Sequence, residues 1–132
     1  MKYDTSVFDD IPGTTVFTAK RSQQGFHLNQ FCMSLRSAAN RDRFHANERT
    51  YLDEWPMAEE QKQAVLDRDF QRMLDLGGNV YFLAKIFASD GLSYVQAVHT
   101  MTDMNLEEYQ AMMLAGGRNI DGWRSKQERE GR

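Results

Sequence analysis

The sequence predicts an all-α fold, a multihelical single domain with buried central helices. Three observations carry this. Apolar residues recur at helical spacing in several stretches, and no strand-like alternation of useful length occurs. Glycines and small polar residues punctuate those stretches where helix ends need them. No period of roughly 20–50 residues repeats, so a solenoid or propeller is excluded.

Residues 1–17 read as an extended arm docked on the body through Phe8, Ile11, Val16 and Phe17, with a turn at Pro12-Gly13. Thr18 is placed to cap a short helix ending near Gly25. Leu28, Phe31, Cys32 and Leu35 fall at i, i+3, i+4 and i+7, which predicts a buried helix from Leu28 to Arg36. Asn40 to Trp55 is rich in charge, with Phe44, Tyr51, Leu52 and Trp55 as anchors; two short helices broken near Asn47 fit it. Pro56 stops the chain. One long helix is expected from Ala58 to Leu76, with Glu59 and Glu60 in its first turn and Leu66, Phe70, Met73 and Leu74 on one stripe. Gly77 is its C-cap.

Val80 to Phe87 carries a single charge, Lys85. On a helix its apolar side chains point in every direction, which predicts an element buried on all sides. At about eight residues it is far shorter than the roughly 20 that a bilayer needs. Asp90-Gly91 forms the turn after it, and Leu92 to Thr100 reads as a shorter helix. Asn105 caps the last helix with Glu108 as its capping-box partner. Leu106, Tyr109, Met112 and Met113 form its stripe, and Gly116-Gly117 ends it. Residues 118–132 read as a polar tail that frays beyond Trp123.

The chain of 132 residues fits one domain, 1–132, with 41% hydrophobic and 27% charged residues, a globular rather than disordered composition. A net charge of -3 argues against nucleic acid as the main partner. The single Cys32 fits a reducing compartment, and the N-terminus lacks the apolar core of a signal peptide. No segment predicts membrane contact, so the expectation is a cytoplasmic protein.

No catalytic residue emerges. His27, His45, His99 and Cys32 show no zinc spacing, and the single Asp42/His45 pair falls short of a di-iron carboxylate set. No metal site is therefore expected in this chain. Ser34, Ser93 and Cys32 lack a nucleophile motif, and Cys32 sits on an apolar stripe as a core thiol. Lys85 either snorkels from the core edge or pairs across a subunit interface. The flanking Asn79 is a further interface candidate, and Trp55, Tyr94, Trp123 and the methionines are candidate anchors. From the residues alone, an accessory subunit of an enzyme and a free-standing helical interaction or regulatory module both stay open.

One set of motifs goes further. Asp10-Ile-Pro-Gly-Thr14, Leu28-Asn-Gln-Phe-Cys-Met-Ser-Leu35, Asn40-Arg-Asp-Arg-Phe44, Tyr51-Leu-Asp-Glu-Trp55, Gly77-Gly-Asn-Val-Tyr-Phe-Leu-Ala-Lys85, Asp90-Gly-Leu-Ser93 and Gly116-Gly-Arg118 occur in this order. With the Met101-Thr pair, they resemble the small (alpha) subunit of protocatechuate 4,5-dioxygenase, an extradiol ring-cleaving family. The resemblance implies a large (beta) subunit partner holding a non-haem Fe(II) on two histidines and a glutamate, with no cofactor in this chain. It implies an assembly of two small and two large subunits. It also implies that the small subunit covers the active-site mouth, where the aromatic catechol lies at the interface. Asp90, Gly91, Ser93 and Tyr94 are then the lid residues, with Tyr94 nearest substrate, and Lys85, Asn79 and Trp55 the interface candidates. His99 and Asp103 stand where the family carries glycines, so a related catechol such as gallate also falls within the expectation.

Overall fold

In the computed structural model, residues 5–9, 11 and 13–118 are described. They fold as helices with no strand among them, so the predicted all-α class holds. A 3-10 turn, Thr5–Phe8, precedes α1 (Ala19–Gln24), α2 (Phe26–Ser34), α3 (Ala38–Ala46), α4 (Glu48–Leu52), α5 (Glu59–Leu66), α6 (Phe70–Asp75), α7 (Val80–Ser89), α8 (Tyr94–Val98) and α9 (Leu106–Leu114). None of these helices is long and apolar enough to cross a membrane.

The caps explain most boundaries. Thr18 accepts from the Arg21 N–H and Gly25 ends α1, as the sequence predicts. Asn47 both ends α3 and caps α4, accepting from Thr50 N–H at 3.1 Å. Asn105 accepts from Glu108 N–H at 2.8 Å and returns its amide to the Glu108 carboxylate at the same distance.

The core centres on α2 and α7, which pack together more extensively than any other pair. Leu28, Phe31, Cys32 and Leu35 are all buried, so the α2 stripe is seated as its spacing predicts. Leu83, Ile86 and Phe87 meet it from α7, and Phe44, Leu52, Val65 and Met73 close the cluster. Each such side chain contributes about 1.5–3 kcal/mol on burial. Burial pushes the Cys32 thiol well above the ordinary thiol range, which makes it inert.

Two buried amides knit the centre. Asn29 donates to Gly77 O at 3.2 Å and accepts from Asn79 N–H at 3.0 Å. Gln61 donates to Gln24 O and Leu76 O while accepting from Ala58 N–H. Their geometry fixes the start of α2 against the α6–α7 turn, where Gly25 and Gly77 touch backbone to backbone.

Three expectations are corrected. The long helix from Ala58 to Leu76 is two helices, broken at Asp67–Asp69, where Arg68 adopts φ +52° and Asp69 caps α6. The helix expected over Leu92–Thr100 is confined to Tyr94–Val98 and closes as a 3-10 turn, His99–Met101. Helix α7, expected to be buried on all sides, is not. One face is buried, while Tyr81 is 81% exposed and Ala88 also faces solvent.

In the N-terminal arm, Ile11 and Val16 are half-buried, whereas Phe8 and Phe17 stay exposed. The motif start at Asp10, the turn residue Pro12, and the tail residues Ile120 and Trp123 lie outside the described residues.

Candidate functional site

The end of α7 is built as a rigid corner. Gly91 takes φ +77°, a conformation glycine adopts without a Cβ penalty. Its N–H reaches Ala88 O at 3.0 Å and the Leu92 N–H reaches Phe87 O at 2.9 Å, the paired bonds of a Schellman ending. Ser93 then starts α8 with a reciprocal capping box: Oγ accepts from Gln96 N–H, and Ser93 N–H donates to Gln96 Oε1 at 2.7 Å. These bonds present Tyr94 at the first position of α8. It is 56% exposed, with its ring edge against Phe87 at 6.2 Å.

A charged clamp holds the corner from below. Arg68 donates to both Asp90 oxygens, at 2.7 and 3.1 Å, and to both Glu48 oxygens, at 2.9 and 2.7 Å. Its guanidinium also caps Val65 O and lies over the Phe44 ring at 5.3 Å. Burial works against the Arg68 charge, but the hydrogen bonds to Asp90 and Glu48 outweigh it and hold its pKa above the ordinary range. Beside it, His45 Nε2 sits 2.6 Å from Ser89 Oγ and 2.9 Å from Ser89 O, tying α3 to the last turn of α7.

The four residues expected at a lid therefore divide. Tyr94 projects outward and Gly91 is exposed, but the Asp90 carboxylate turns inward to Arg68 and the Ser93 hydroxyl is spent on the α8 cap. Asp90 and Ser93 thus position the corner, and the apolar surface there comes from Tyr94 and Leu92, both exposed.

The three interface candidates also separate. Asn79 is half-buried beside the cleft at the start of α7, its side chain committed to the α7 cap, accepting from Tyr81 N–H at 2.9 Å. Trp55 is half-buried, its ring 6.4 Å from both Phe31 and Tyr51, and its indole N–H is buried without a hydrogen-bond partner among the described residues. Lys85 is half-buried on the outer side of α7. The corner, the α7 cap and the Trp55 cluster are three separate places.

Sequence reasoning missed Arg68, Glu48, His45 and Ser89. The one local signal was the Asp67-Arg68-Asp69 run inside an otherwise regular stripe.

At the other end of α7 a cleft of about 720 Å³ opens between the arm, α7 and α9, with Phe17, Val80, Tyr81, Tyr109, Met112 and Met113 among its walls. Among the described residues no three His, Cys, Asp or Glu side chains converge to hold a metal ion. The donor set for an iron is not gathered by them, and no chemical step is assigned to a metal on this chain.

Comparison with known proteins gives this geometry a context. Residues 28–114 match the family described as the LigA subunit of the aromatic-ring-opening dioxygenase LigAB. That stretch runs from within α2 to the end of α9 and includes the clamp and the corner. A gallate dioxygenase of Pseudomonas putida is 24% identical over 109 residues, which make up 83% of this chain and 32% of that protein. The chain thus spans about a third of the length of this curated relative.

Proposed function

The chain belongs to the LigA-subunit family of aromatic-ring-opening dioxygenases, and from that premise we propose that it is the accessory subunit of a heteromeric extradiol enzyme. Its substrate is protocatechuate, opened by 4,5-cleavage, or a close relative such as gallate. The observation that carries the reading is the family match across the helical body, corner included. The name of the gallate dioxygenase relative supports a trihydroxylated ring as the alternative to protocatechuate.

In this reading the large subunit carries Fe(II), which supplies the binding of catechol oxygens and O2. This chain contributes no bond-making residue. Its corner walls the mouth of the partner's site, keeps out water and limits which ring substituents fit. The rigidity of the corner favours that role: Tyr94 is held by two caps and the Arg68 clamp, so its ring reaches a partner without a loop having to be ordered first. His99 donates from Nδ1 to Gln96 O, a local bond that does not link it to the clamp.

We propose an assembly of two small and two large subunits in the cytoplasm. Co-expression with the large subunit tests the reading. The pair is expected to co-purify with iron and consume O2 with protocatechuate or gallate. A second test isolates Tyr94. Tyr94→Ala is expected to alter KM or the ranking of catechols by at least about threefold, the size of a lost apolar contact in a specificity pocket, and to leave iron content unchanged. Identical kinetics across several catechols would exclude Tyr94 from the mouth.

A further inference from the structure

The cleft of about 720 Å³ at the start of α7 takes no residue from the corner or the clamp. Its rim is apolar. Phe17 from the arm, Tyr81 from α7 and Met113 from α9 all line it, and they are 42%, 81% and 52% exposed. Met101 and Met112, both half-buried, stand behind them. Single exposed apolar side chains are ordinary, but three around one recess make a patch that marks a contact site. Thioethers and aromatic rings suit an aromatic occupant, since sulfur packs well at a ring edge.

The end of α9 turns the chain into this cleft. Gly116 N–H reaches Met113 O at 3.2 Å and Gly117 N–H reaches Met112 O at 3.0 Å, the paired bonds of a Schellman ending. Both glycines take positive φ, +108° and +91°, and two such residues in succession reverse the chain direction. Arg118, the next residue, is itself one of the cleft walls. Residues 119–132 therefore set out from the cleft. In that stretch apolar side chains occur at two positions, Ile120 and Trp123, and every residue after Trp123 is charged, polar or glycine. Ile120 lies two residues beyond Arg118 and Trp123 five, spans of up to roughly 7 and 17 Å.

We propose that the cleft is the seat of the chain's own C-terminal segment, with Ile120 and Trp123 as its two anchors. The indole brings roughly 150–250 Å² of surface to bury, and Gln71 on the cleft wall offers a side-chain carbonyl to its N–H. A second copy would have to bring the same two residues at bulk concentration, whereas the tether at Arg118 supplies them at roughly millimolar effective concentration. Seated in this way, the segment straps the arm, α7 and α9 together and covers Tyr81 and Met113. Such a strap needs no partner subunit, so it stands apart from the subunit reading above.

Acrylamide quenching of tryptophan fluorescence in the full chain tests this. Trp55 and Trp123 are its two indoles, so the difference between the unaltered chain and Trp123→Ala isolates Trp123. Trp123 is expected to be quenched at least about threefold less than indole in water, because a pocket of this size buries about 70% or more of what fills it. Met113→Glu and Tyr81→Glu each put a charge on the rim, from α9 and from α7. Measured with and without Trp123, both are expected to restore full quenching of that residue. Far-UV dichroism is expected to stay unchanged in both, since the two side chains are exposed and outside the core. Three results would overturn the proposal. Trp123 of the unaltered chain is quenched like free indole, so no strap forms. Or it is protected and neither rim variant exposes it, so it is seated elsewhere. Or its protection fades on dilution, so the cleft is filled by the segment of a second copy.

Discussion

Gly77→Ala is expected to destabilise the chain by about 2–5 kcal/mol, the sum of left-handed backbone strain and overpacking. Gly77 has φ +97°, and a Cβ there would stand 2.5 Å from Gly25 N and 2.6 Å from Arg21 O. Both neighbours are backbone and cannot rotate away. Gly25→Ala meets the same obstacle from the other side, since its Cβ would overlap the Gly77 carbonyl. The contact is where α2 seats on the α6–α7 turn, so forcing it apart also loosens Asn29 from Gly77 O and Asn79 N–H. Gly91→Ala is the internal control. It has φ +77° but no atom within 4 Å of the added Cβ, so only backbone strain of about 1 kcal/mol applies. Denaturant midpoints of the three variants separate the terms. Equal losses at Gly77 and Gly91 would mean that the Gly25–Gly77 approach does not limit stability.

The second large effect is expected at Arg68. Removing its side chain in Arg68→Ala leaves Glu48 and Asp90, side chains only 28% and 18% exposed, facing each other without a cation. Breaking a fully buried pair costs about 3–5 kcal/mol; with solvent reaching this site the expected loss is about 1–3 kcal/mol. Arg68→Lys is expected to recover little, because one ammonium cannot meet two carboxylates in fork geometry. Arg68→Gly is expected to be milder than Arg68→Ala by about 1 kcal/mol, as glycine relaxes the φ of +52°. The damage is expected to centre on the corner, so amide exchange at Gly91 and Leu92 reads it directly. Unchanged protection there in Arg68→Ala would show that the caps alone hold the corner.

These two sites mark the limit of what the sequence made legible. Local rules found the caps at Thr18 and Asn105, because the residue that starts each helix is also the one that bonds its free N–H groups, and they found the break near Asn47, whose side chain proves to cap α4. They found the α2 stripe because one face of a regular helix meets the core. They missed the break at Asp67–Asp69, since Leu66, Phe70, Met73 and Leu74 keep helical spacing through it and the charged residues between look like an ordinary solvated face. What breaks the helix there is non-local: Arg68 turns to reach Glu48 and Asp90, about 20 residues away on either side. The same partner draws Asp90 inward, so a residue expected to line a lid instead holds the end of α7. Helix α7 was read as buried all round because a count of apolar residues does not distinguish Tyr81, whose ring stays in solvent, from Phe87 in the core. The Gly25–Gly77 contact was hidden for another reason. Each glycine already had a sufficient local explanation as a helix end.

The fold itself gives no chemistry, and the chain's place in an aromatic-ring-opening dioxygenase family gives its context. The proposed function entails a dependence: the large subunit's reaction is shaped by this chain. Oxygen uptake by the purified large subunit, loaded with Fe(II) and titrated with this chain, measures that dependence most directly, with protocatechuate and gallate run side by side. Uptake is expected to rise with added chain to a plateau at one chain per large subunit, and the preference between the two catechols to change along the titration. Uptake that is the same in rate and preference at every ratio, down to none of this chain, would contradict it.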